Sequence, residues 1–360
     1  MKYLSEYRDG SLASKMADRI RAISKKPARF MEICGTHTVA IFKSGIREVL
    51  PEHIGLVSGP GCPVCVTATR DIDKAVKVAR IPDVIVTTFG DMIRVPGSES
   101  SLRKEKSLGA DVRMVYSTMD ALEVARQNPR KKVVFIGIGF ETTAPTIAAA
   151  VVLAEAEGIN NFSVLSSHKL LPPALDALLS GGEVDVSGFI CPGHVSTVIG
   201  TAPYEVVVAQ YRTPCVVVGF EPVDILQGIY MLVSQIEAGE AKVEIQYRRA
   251  VAPEGNQNAL KTLSRVFEPC DAPWRGLGVI PKSGLALREA YRAFDAEALF
   301  DVDVPDSPEP PGCKCGDVLR GVMTPVECKL FRNVCNPENP IGPCMVSSEG
   351  TCAAYYKYHA

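Results

Sequence analysis

Strand-like and helix-like segments alternate along this 360-residue chain from about residue 29 to residue 250. Apolar runs rich in Val and Ile, such as DVIVTTFG and KKVVFIGIGF, alternate with helical runs such as TATRDIDKAVKVAR and TAPTIAAAVVLAEAEG. This alternation is typical of βαβ units, in which strands lie parallel and helices cover the sheet. The sequence therefore predicts an α/β fold with parallel sheets, and the alternating part is long enough for two such domains.

We expect the alternating part to divide into one domain at 29–140 and a second at 141–250. The tripeptide Gly-Phe-Glu follows an apolar strand at 139–141 and again at 219–221, which favours an internal repeat. Chance is the alternative explanation for so short a match.

The segments 1–28 and 251–360 are expected to form a third, helical and Cys-rich domain. MKYLSEYRDGSLASKMADRIRA, NQNALKTLSRVF and SGLALREAYRAFDAEALF all have helical patterns, and DVDVPDSPEPPG is a Pro- and Asp-rich linker. The tail beyond the linker is poor in strand-forming residues and cannot bury much apolar surface by itself. We therefore expect a metal to stabilise it.

The overall composition argues against several classes of partner. The net charge is −2, the sequence pI is about 6.3, and Lys and Arg are scattered, which argues against a nucleic-acid or anionic-membrane surface. No signal peptide and no apolar run of membrane-spanning length is recognisable. We therefore expect a cytoplasmic protein, in which twelve cysteines favour metal or redox chemistry over structural disulfides.

Half of the cysteines crowd into the tail, with the spacing Cys313-x-Cys315-x12-Cys328-x6-Cys335-x8-Cys344-x7-Cys352. Six thiolates exceed the four that an iron–sulfur cubane or a zinc ion requires, so four ligands plus a redox pair would account for all six. The spacing matches no standard ferredoxin or zinc-ribbon motif. It predicts a four-thiolate metal site without deciding between iron–sulfur and zinc.

A second cysteine motif, GPGCPVC, carries Cys62 and Cys65 just before a predicted helix. A structural zinc site would need a second Cys pair of this type, and the sequence contains none. A redox dithiol or transient metal handling is therefore favoured, with a tight turn as a further alternative. Cys191 and Cys215 are expected in the core, and Cys270 is a candidate free surface thiol.

Several chemically unusual loops follow predicted strands, where ligands bind in parallel α/β sheets. Cys34 lies where a strand passes into a helix, a position that favours the thiolate, although a buried, inert thiol is the alternative. His37 is a candidate to tune Cys34 or to act as acid or base. Glu141 and His194 lie in two further loops, and His194 is as readily explained by a structural hydrogen bond. If the strands are adjacent, these loops form one cleft. Gly61 and Gly193 would let the backbone approach a ligand there.

Five motifs taken in order resemble one known family. CGTHT, GPGCPVC, FGDMIRVPG, GFETT and CPGHVS, together with the six-cysteine tail, are similar to the hydrogenase maturation factor HypD family over essentially the whole chain. The resemblance implies two α/β domains and a third domain with a [4Fe-4S] cluster. It also implies a scaffold on which an iron, carried transiently, acquires two cyanides and one carbon monoxide.

The resemblance further implies partners: a HypC-like chaperone, a HypE-like cyanide donor and, indirectly, a hydrogenase large-subunit precursor. It implies the cluster ligands Cys313, Cys328, Cys335 and Cys352, and Cys34 as the thiolate ligand of the iron. Cys315 and Cys344 would be a redox pair beside the cluster, and Cys62 and Cys65 a second dithiol near the cleft. We hypothesise that electrons pass from the tail through these pairs to the iron. A cluster-dependent protein disulfide reductase, similar to ferredoxin–thioredoxin reductase, and a zinc-stabilised binding module are the alternative functions.

Overall fold

The computed structural model describes residues 6–182 and 184–359. Its strands are β1 (Ala28–Glu32), β2 (Ile54–Ser58), β3 (Val84–Thr88), β4 (Asp111–Met114), β5 (Lys132–Gly137), β6 (Phe162–Ser166), β7 (Gly188–Pro192), β8 (Cys215–Val218), β9 (Val243–Ile245), β10 (Phe267–Trp274) and β11 (Gly278–Leu287).

The α-helices are α1 (Gly10–Ile23), α2 (Gly35–Lys43), α3 (Ile46–Val49), α4 (Pro63–Val66), α5 (Thr69–Ala79), α6 (Leu102–Ser107), α7 (Thr118–Gln127), α8 (Ala144–Glu157), α9 (Leu171–Ser180), α10 (Gly193–Ile199), α11 (Ala202–Tyr211), α12 (Pro222–Ala238), α13 (Gln257–Val266), α14 (Ala296–Leu299), α15 (Cys315–Leu319), α16 (Pro343–Val346) and α17 (Thr351–Tyr358). Short 3-10 helices cover Glu6–Arg8, Gly90–Arg94, Glu289–Phe294 and Pro325–Glu327.

Two parallel sheets form the body of the protein, which confirms the predicted fold class. The first sheet has five strands in the order β2-β1-β7-β8-β9, and the second has four in the order β4-β3-β5-β6. The two Gly-Phe-Glu tripeptides follow β5 and β8, one in each sheet. Strands such as β3 and β8 are buried along their whole length, because helices cover both faces of a parallel sheet.

The division of the chain between the sheets differs from the predicted boundary at residue 140. β1, which pairs with β2 on one side, pairs with β7 beyond residue 187 on the other, and the whole second sheet is inserted between β2 and β7. β6 lies beyond residue 140 and still pairs with β5 in the second sheet. Local sequence pattern predicts that strands exist, but it does not specify which distant strands pair.

The N-terminal helix also lies elsewhere than expected. Residues 1–5 of the predicted helix lie outside the described residues, and α1 contacts α12. Ile20 of α1 is fully buried in the core that includes Ile225 and Ile229. α1 therefore belongs with the first sheet and not with the Cys-rich tail.

A β-hairpin replaces part of a predicted helix. The segment SGLALREAYRAFDAEALF was expected to be helical, but Ser283 to Leu287 belongs to β11, which pairs antiparallel with β10. Leu285 and Leu287 are buried, and Ala286 between them is less so, which is the two-residue period of a strand. Only the end of the segment forms a 3-10 helix and α14.

Among the described residues, no helix has both the length and the apolar character needed to cross a bilayer.

Candidate metal and thiol site

The carboxyl ends of β2, β1, β7 and β8 lie side by side in the first sheet. The segments that follow them carry Cys62, Cys34, His194 and Phe220 respectively. The expectation that these loops meet at one edge is therefore confirmed for the first sheet. The loops with Asp91 and Glu141 follow β3 and β5 of the second sheet instead.

A cleft of about 1340 Å³ opens beside this edge. Its walls come from the start and outer face of α2, the 220–222 loop, the N-terminal segment, Arg94 and the tail between Met345 and Tyr358. Thr36 lines the cleft and donates a hydrogen bond from Oγ1 to Glu349 Oε1 over 2.7 Å. The Cys-rich tail therefore forms one wall of the cleft beside the Cys34 loop.

Cys34 caps the N-terminus of α2 and is only 8% exposed. Burial raises the pKa of its thiol to about 11, although the backbone N–H groups of His37 and Thr36 act in the opposite direction. The thiolate-favouring effect expected from the helix N-terminus is therefore outweighed by desolvation. A bound metal ion would reverse this balance, because coordination deprotonates a thiol.

Gly61 brings the GPGCPVC segment into backbone contact with Cys34. A Cβ atom on Gly61 would lie 2.1 Å from Cys34 N, and Gly35 N donates to Gly61 O over 3.0 Å. At Gly193 a Cβ would meet the Tyr247 ring and a backbone carbonyl. The close approach that we expected these glycines to offer a ligand is made by the protein itself.

Cys62 and Cys65 form a buried thiol pair at α4. Cys62 caps the helix, and Cys65 N donates to Cys62 Sγ over 3.3 Å. Burial raises the pKa of Cys62 well above its usual value. Burial also acts to raise the pKa of Cys65, but hydrogen bonds from Cys344 and Cys62 and the positive charge of Arg275 lower it to about 6. The thiolate of Cys65 is therefore favoured, and this is the form that acts as nucleophile or leaving group in disulfide exchange.

Cys344 connects this pair to the tail. Its thiol hydrogen bonds with Cys315, Cys352 and Cys65, and the Cys315 and Cys344 Sγ atoms are 2.8 Å apart. The two predicted redox pairs, Cys62/Cys65 and Cys315/Cys344, are thus in direct sulfur contact. Sequence spacing placed these residues in separate motifs and gave no measure of their proximity.

All six tail cysteines line one small cavity, with Val318, Leu330 and Phe331 among its apolar walls. Four thiolates are the ligand set of an iron–sulfur cubane, and an apolar wall keeps water from it. Within the described part of the chain, no three Cys, His, Asp or Glu side chains are grouped as one metal ion requires. A cubane distributes its four thiolates over four irons, so this donor set and cavity fit a cluster.

Glu349 is a site residue that the sequence analysis missed. It accepts from Thr36, and its charge acts to raise the pKa values of Cys34, Cys65 and His194. A Cβ on Gly35 would lie 2.6 Å from Glu349 O, so this segment packs tightly on the Cys34 loop. In the sequence, Glu349 is marked only as a single acidic residue, in the motif SSEG, between Cys344 and Cys352.

His37 is fully buried, and its Nε2 donates to Gly219 O over 2.9 Å. Burial lowers its pKa to about 4, so the ring is neutral near pH 7, and its Nδ1 has no partner among the described residues. The rings of His37 and His194 both stack on Phe220, which lines the cleft. His37 thus fastens α2 to the end of β8, while His194 is exposed.

Glu141 lies apart from the cleft walls. Its Oε1 accepts from Leu171 N at the start of α9 over 3.0 Å, and its Oε2 is buried without a partner in the described structure. Pro172 and Pro173 follow and lack N–H groups, so few other donors are free at that helix end. Burial raises the pKa of Glu141 to about 7.

The second sheet reaches the site through the FGDMIRVPG loop. Arg94 lines the cleft and donates from Nη2 to Val346 O over 3.0 Å, and Met92 packs in a small core with Val346.

Cys191 and Cys215 are fully buried in β7 and β8, as expected, whereas Cys270 is partly exposed on β10.

Comparisons with known proteins agree with these observations. A family model described as HypD, "Hydrogenase formation hypA family", matches residues 11–359. The chain is 49% identical to the hydrogenase maturation factor HypD2 of Bradyrhizobium diazoefficiens over 368 residues, which cover 99% of this chain and 97% of that protein. It is 48% identical to the hydrogenase maturation factor HypD of Cupriavidus necator, with the same coverage. It is also 48% identical to a putative hydrogenase expression/formation protein of Methanocaldococcus jannaschii, over 97% of this chain and 98% of that one.

Proposed function

The chain belongs to the HypD family of hydrogenase maturation factors, and from that premise we propose that it is the scaffold on which an Fe(CN)2CO centre is assembled. The observation that carries this proposal is the continuous series of thiols beside the cleft. Cys34 lies against the Cys62 segment, Cys65 contacts Cys344, and Cys344 contacts Cys315 and Cys352.

The iron is the cargo of this scaffold, and Cys34 is its proposed ligand. The thiol is buried beside a cleft large enough for a segment of a partner protein, and Thr36 and Glu349 lie next to it. A HypC-like chaperone would enter the cleft and supply a further ligand to the same iron. A HypE-like partner would bring cyanide as a thiocyanate on one of its own cysteines.

Release of cyanide requires two electrons, because R–S–CN + 2 e⁻ gives RS⁻ and CN⁻. The Cys62/Cys65 dithiol supplies these two electrons when it closes to a disulfide, and it loses its two protons to neighbouring bases or water. Cys315/Cys344 then reduces that disulfide by exchange through the Cys65–Cys344 contact. This order of events gives each pair a function that its position supports.

Cys313, Cys328, Cys335 and Cys352 are the proposed ligands of a [4Fe-4S] cluster in the tail cavity. When bound, the cluster supplies single electrons, which a dithiol pair combines in twos. The apolar residues around the six cysteines shield this exchange from water, and Cys315 and Cys344 are both at most 3% exposed.

Infrared spectroscopy of the anaerobic protein, purified with its HypC-like partner from cells that carry the maturation machinery, tests the proposal. We expect carbonyl and cyanide stretching bands in the wild type, loss of these bands in Cys34→Ala, and an unchanged cluster absorbance. Cys270→Ala is the matched control, because Cys270 lies on the hairpin outside the cleft, and it should keep the bands.

Absence of the bands from wild-type protein with intact cluster and bound partner would contradict the scaffold. That result would favour the cluster-dependent disulfide reductase, for which Cys34 is dispensable.

A further inference from the structure

Arg275, between β10 and β11, is a buried cation for which the proposed function gives no role. Its side chain is 0% exposed. Nε donates to Thr67 O over 3.0 Å, and Nη1 pairs with Glu309 of the Pro-rich linker. Nη2 is buried and has no hydrogen-bond partner within the described residues.

Stability alone does not account for a charge at this position. Removing a guanidinium from water costs several kcal/mol, and replacing a whole buried ion pair by apolar residues of similar volume is often neutral or stabilising. Arg275 retains the charge, leaves one nitrogen unpaired and takes its counter-ion from Glu309, which is 41% exposed. The buried charge of Arg275 must therefore be explained by the groups that lie near it.

The turn that carries Arg275 touches both thiol segments. Arg275 N donates to Val66 O over 2.9 Å, and Trp274 forms an isolated antiparallel bridge with Thr67. These contacts hold the chain immediately after Cys65. Gly276 has φ +76°, and a Cβ on it would lie 2.2 Å from the Cα of Gly316, the residue after Cys315.

We propose that Arg275 is a positioning residue for sulfur exchange between Cys62/Cys65 and Cys315/Cys344, and that its charge faces the anionic sulfur formed in the exchange. The inference rests on the proposed function, since it assigns a part within the thiol relay. The turn fixes the two segments against each other, and the guanidinium, which donates to Thr67 O two residues after Cys65, places a fixed positive charge at that segment.

The exchange takes two steps, in each of which one S–S bond forms as another breaks. The Cys344 thiolate attacks Cys65 Sγ of the Cys62–Cys65 disulfide, a Cys65–Cys344 bond forms, and Cys62 leaves as a thiolate that takes a proton. Cys315 then gives its proton to water and attacks Cys344, the Cys315–Cys344 disulfide forms, and Cys65 leaves as a thiolate beside Arg275. Two electrons pass to Cys62/Cys65, and no further reactant is needed.

The electrostatics agree with the geometry. Burial and the charge of Glu349 raise the pKa of Cys65, whereas hydrogen bonds from Cys344 and Cys62 and the charge of Arg275 lower it to about 6. A cation that stabilises the thiolate stabilises the reduced pair, which makes its disulfide the better oxidant. Removal of the cation should therefore raise the share of protein with a Cys62–Cys65 disulfide. Removal of its counter-ion should raise the share with a Cys315–Cys344 disulfide.

The test uses the full-length, cluster-loaded protein without cargo iron. The fully reduced protein receives one equivalent of diamide anaerobically, is quenched with an alkylating agent at increasing times, and its peptides are mapped by mass spectrometry. The measured quantities are the equilibrium division of the single disulfide between the two pairs and the rate at which it is reached.

We expect Arg275→Gln to shift the division about tenfold towards Cys62–Cys65, a change of about 1.4 kcal/mol, and to slow exchange about tenfold. Arg275→Lys should restore most of the wild-type division of the disulfide between the two pairs, because it keeps the charge. Glu309→Gln removes the counter-ion and should shift the disulfide towards Cys315–Cys344. Arg288→Gln, an exposed arginine just after the same hairpin, is the control and should behave as wild type.

Wild-type division and rate in Arg275→Gln would overturn the role of Arg275 and leave the scaffold untouched. If Arg275→Gln does not fold, the Glu309→Gln result decides, and an unchanged division there would overturn the proposal. Absence of exchange in the wild type would overturn the relay itself, whereas the infrared bands test the iron site separately.

Discussion

Replacement of Gly61 by alanine should displace the Cys34 loop, because the added methyl group would overlap backbone atoms. The added Cβ would lie 2.1 Å from Cys34 N, 2.3 Å from Ile33 C and 2.4 Å from Cys34 Cα. All three are backbone atoms, so no flexible side chain can move aside. Ordinary contact begins near 3.4 Å, and the two segments must therefore separate by more than an ångström.

Overpacking of this kind costs about 1–3 kcal/mol, and we expect the upper part of that range because backbone must shift. At roughly 2–4 °C per kcal/mol, the melting temperature should fall by several degrees. The larger effect should be on the proposed iron centre, because the shift separates Cys34 from the Cys62 segment. We expect the infrared bands to be lost while the cluster absorbance stays.

Gly55→Ala on β2 is the matched control. A Cβ there would meet only Arg29 Cγ at 3.6 Å, which is ordinary contact, so we expect wild-type stability and bands. If the Gly61→Ala protein has the wild-type melting temperature and keeps its infrared bands, then backbone contact at Gly61 does not set the position of Cys34.

Two further predictions concern buried charges. Glu141 has a folded-state pKa of about 7, above its usual 4.5, so its contribution is fully present below pH 4.5 and is lost as the pH rises to 7. Glu141→Gln should therefore gain stability relative to wild type at about 1.4 kcal/mol per pH unit across that window, as measured by urea unfolding, and a difference that does not depend on pH would contradict this. Lys169 donates to Asp71 over 2.9 Å with both side chains at least 91% buried, so Lys169→Met should cost about 3–5 kcal/mol in the same assay. Asp71→Leu combined with Lys169→Met should recover most of that loss, and equal losses in the single and double variants would show that the charge pairing is not the cause.

Local periodicity was sufficient to predict most of the two sheets. Strands such as β3 and β5 are apolar runs, and α5 and α8 have helical patterns that need no distant information. The same reasoning failed at Ser283 to Leu287, where pairing with β10 decides the structure. It also failed for the strand order, because the pairing of β1 with β7 spans the whole inserted sheet.

The candidate site shows the same limit. Cys34, Cys62 and Cys65 are recognisable because each occurs in an unusual motif at the end of a strand. Arg275 and Glu349 have no such motif, and their importance depends on contacts with Thr67 and Thr36 that lie far away in sequence. A charged residue is informative only once its burial and its partners are known.

The short segment from Cys344 to Glu349 would let the proposed thiol pairs and the proposed iron site act as one unit. Cys344 contacts Cys65 and Cys315, Val346 O accepts from Arg94 of the second sheet, and Glu349 accepts from Thr36 at the cleft. One stretch of tail therefore contacts both sheets and carries both Cys344 of the proposed relay and the carboxylate beside Cys34. If the tail holds the proposed cluster, removal of the cluster should loosen both the cleft wall and the contacts between the thiol pairs, because metal binding and folding are coupled.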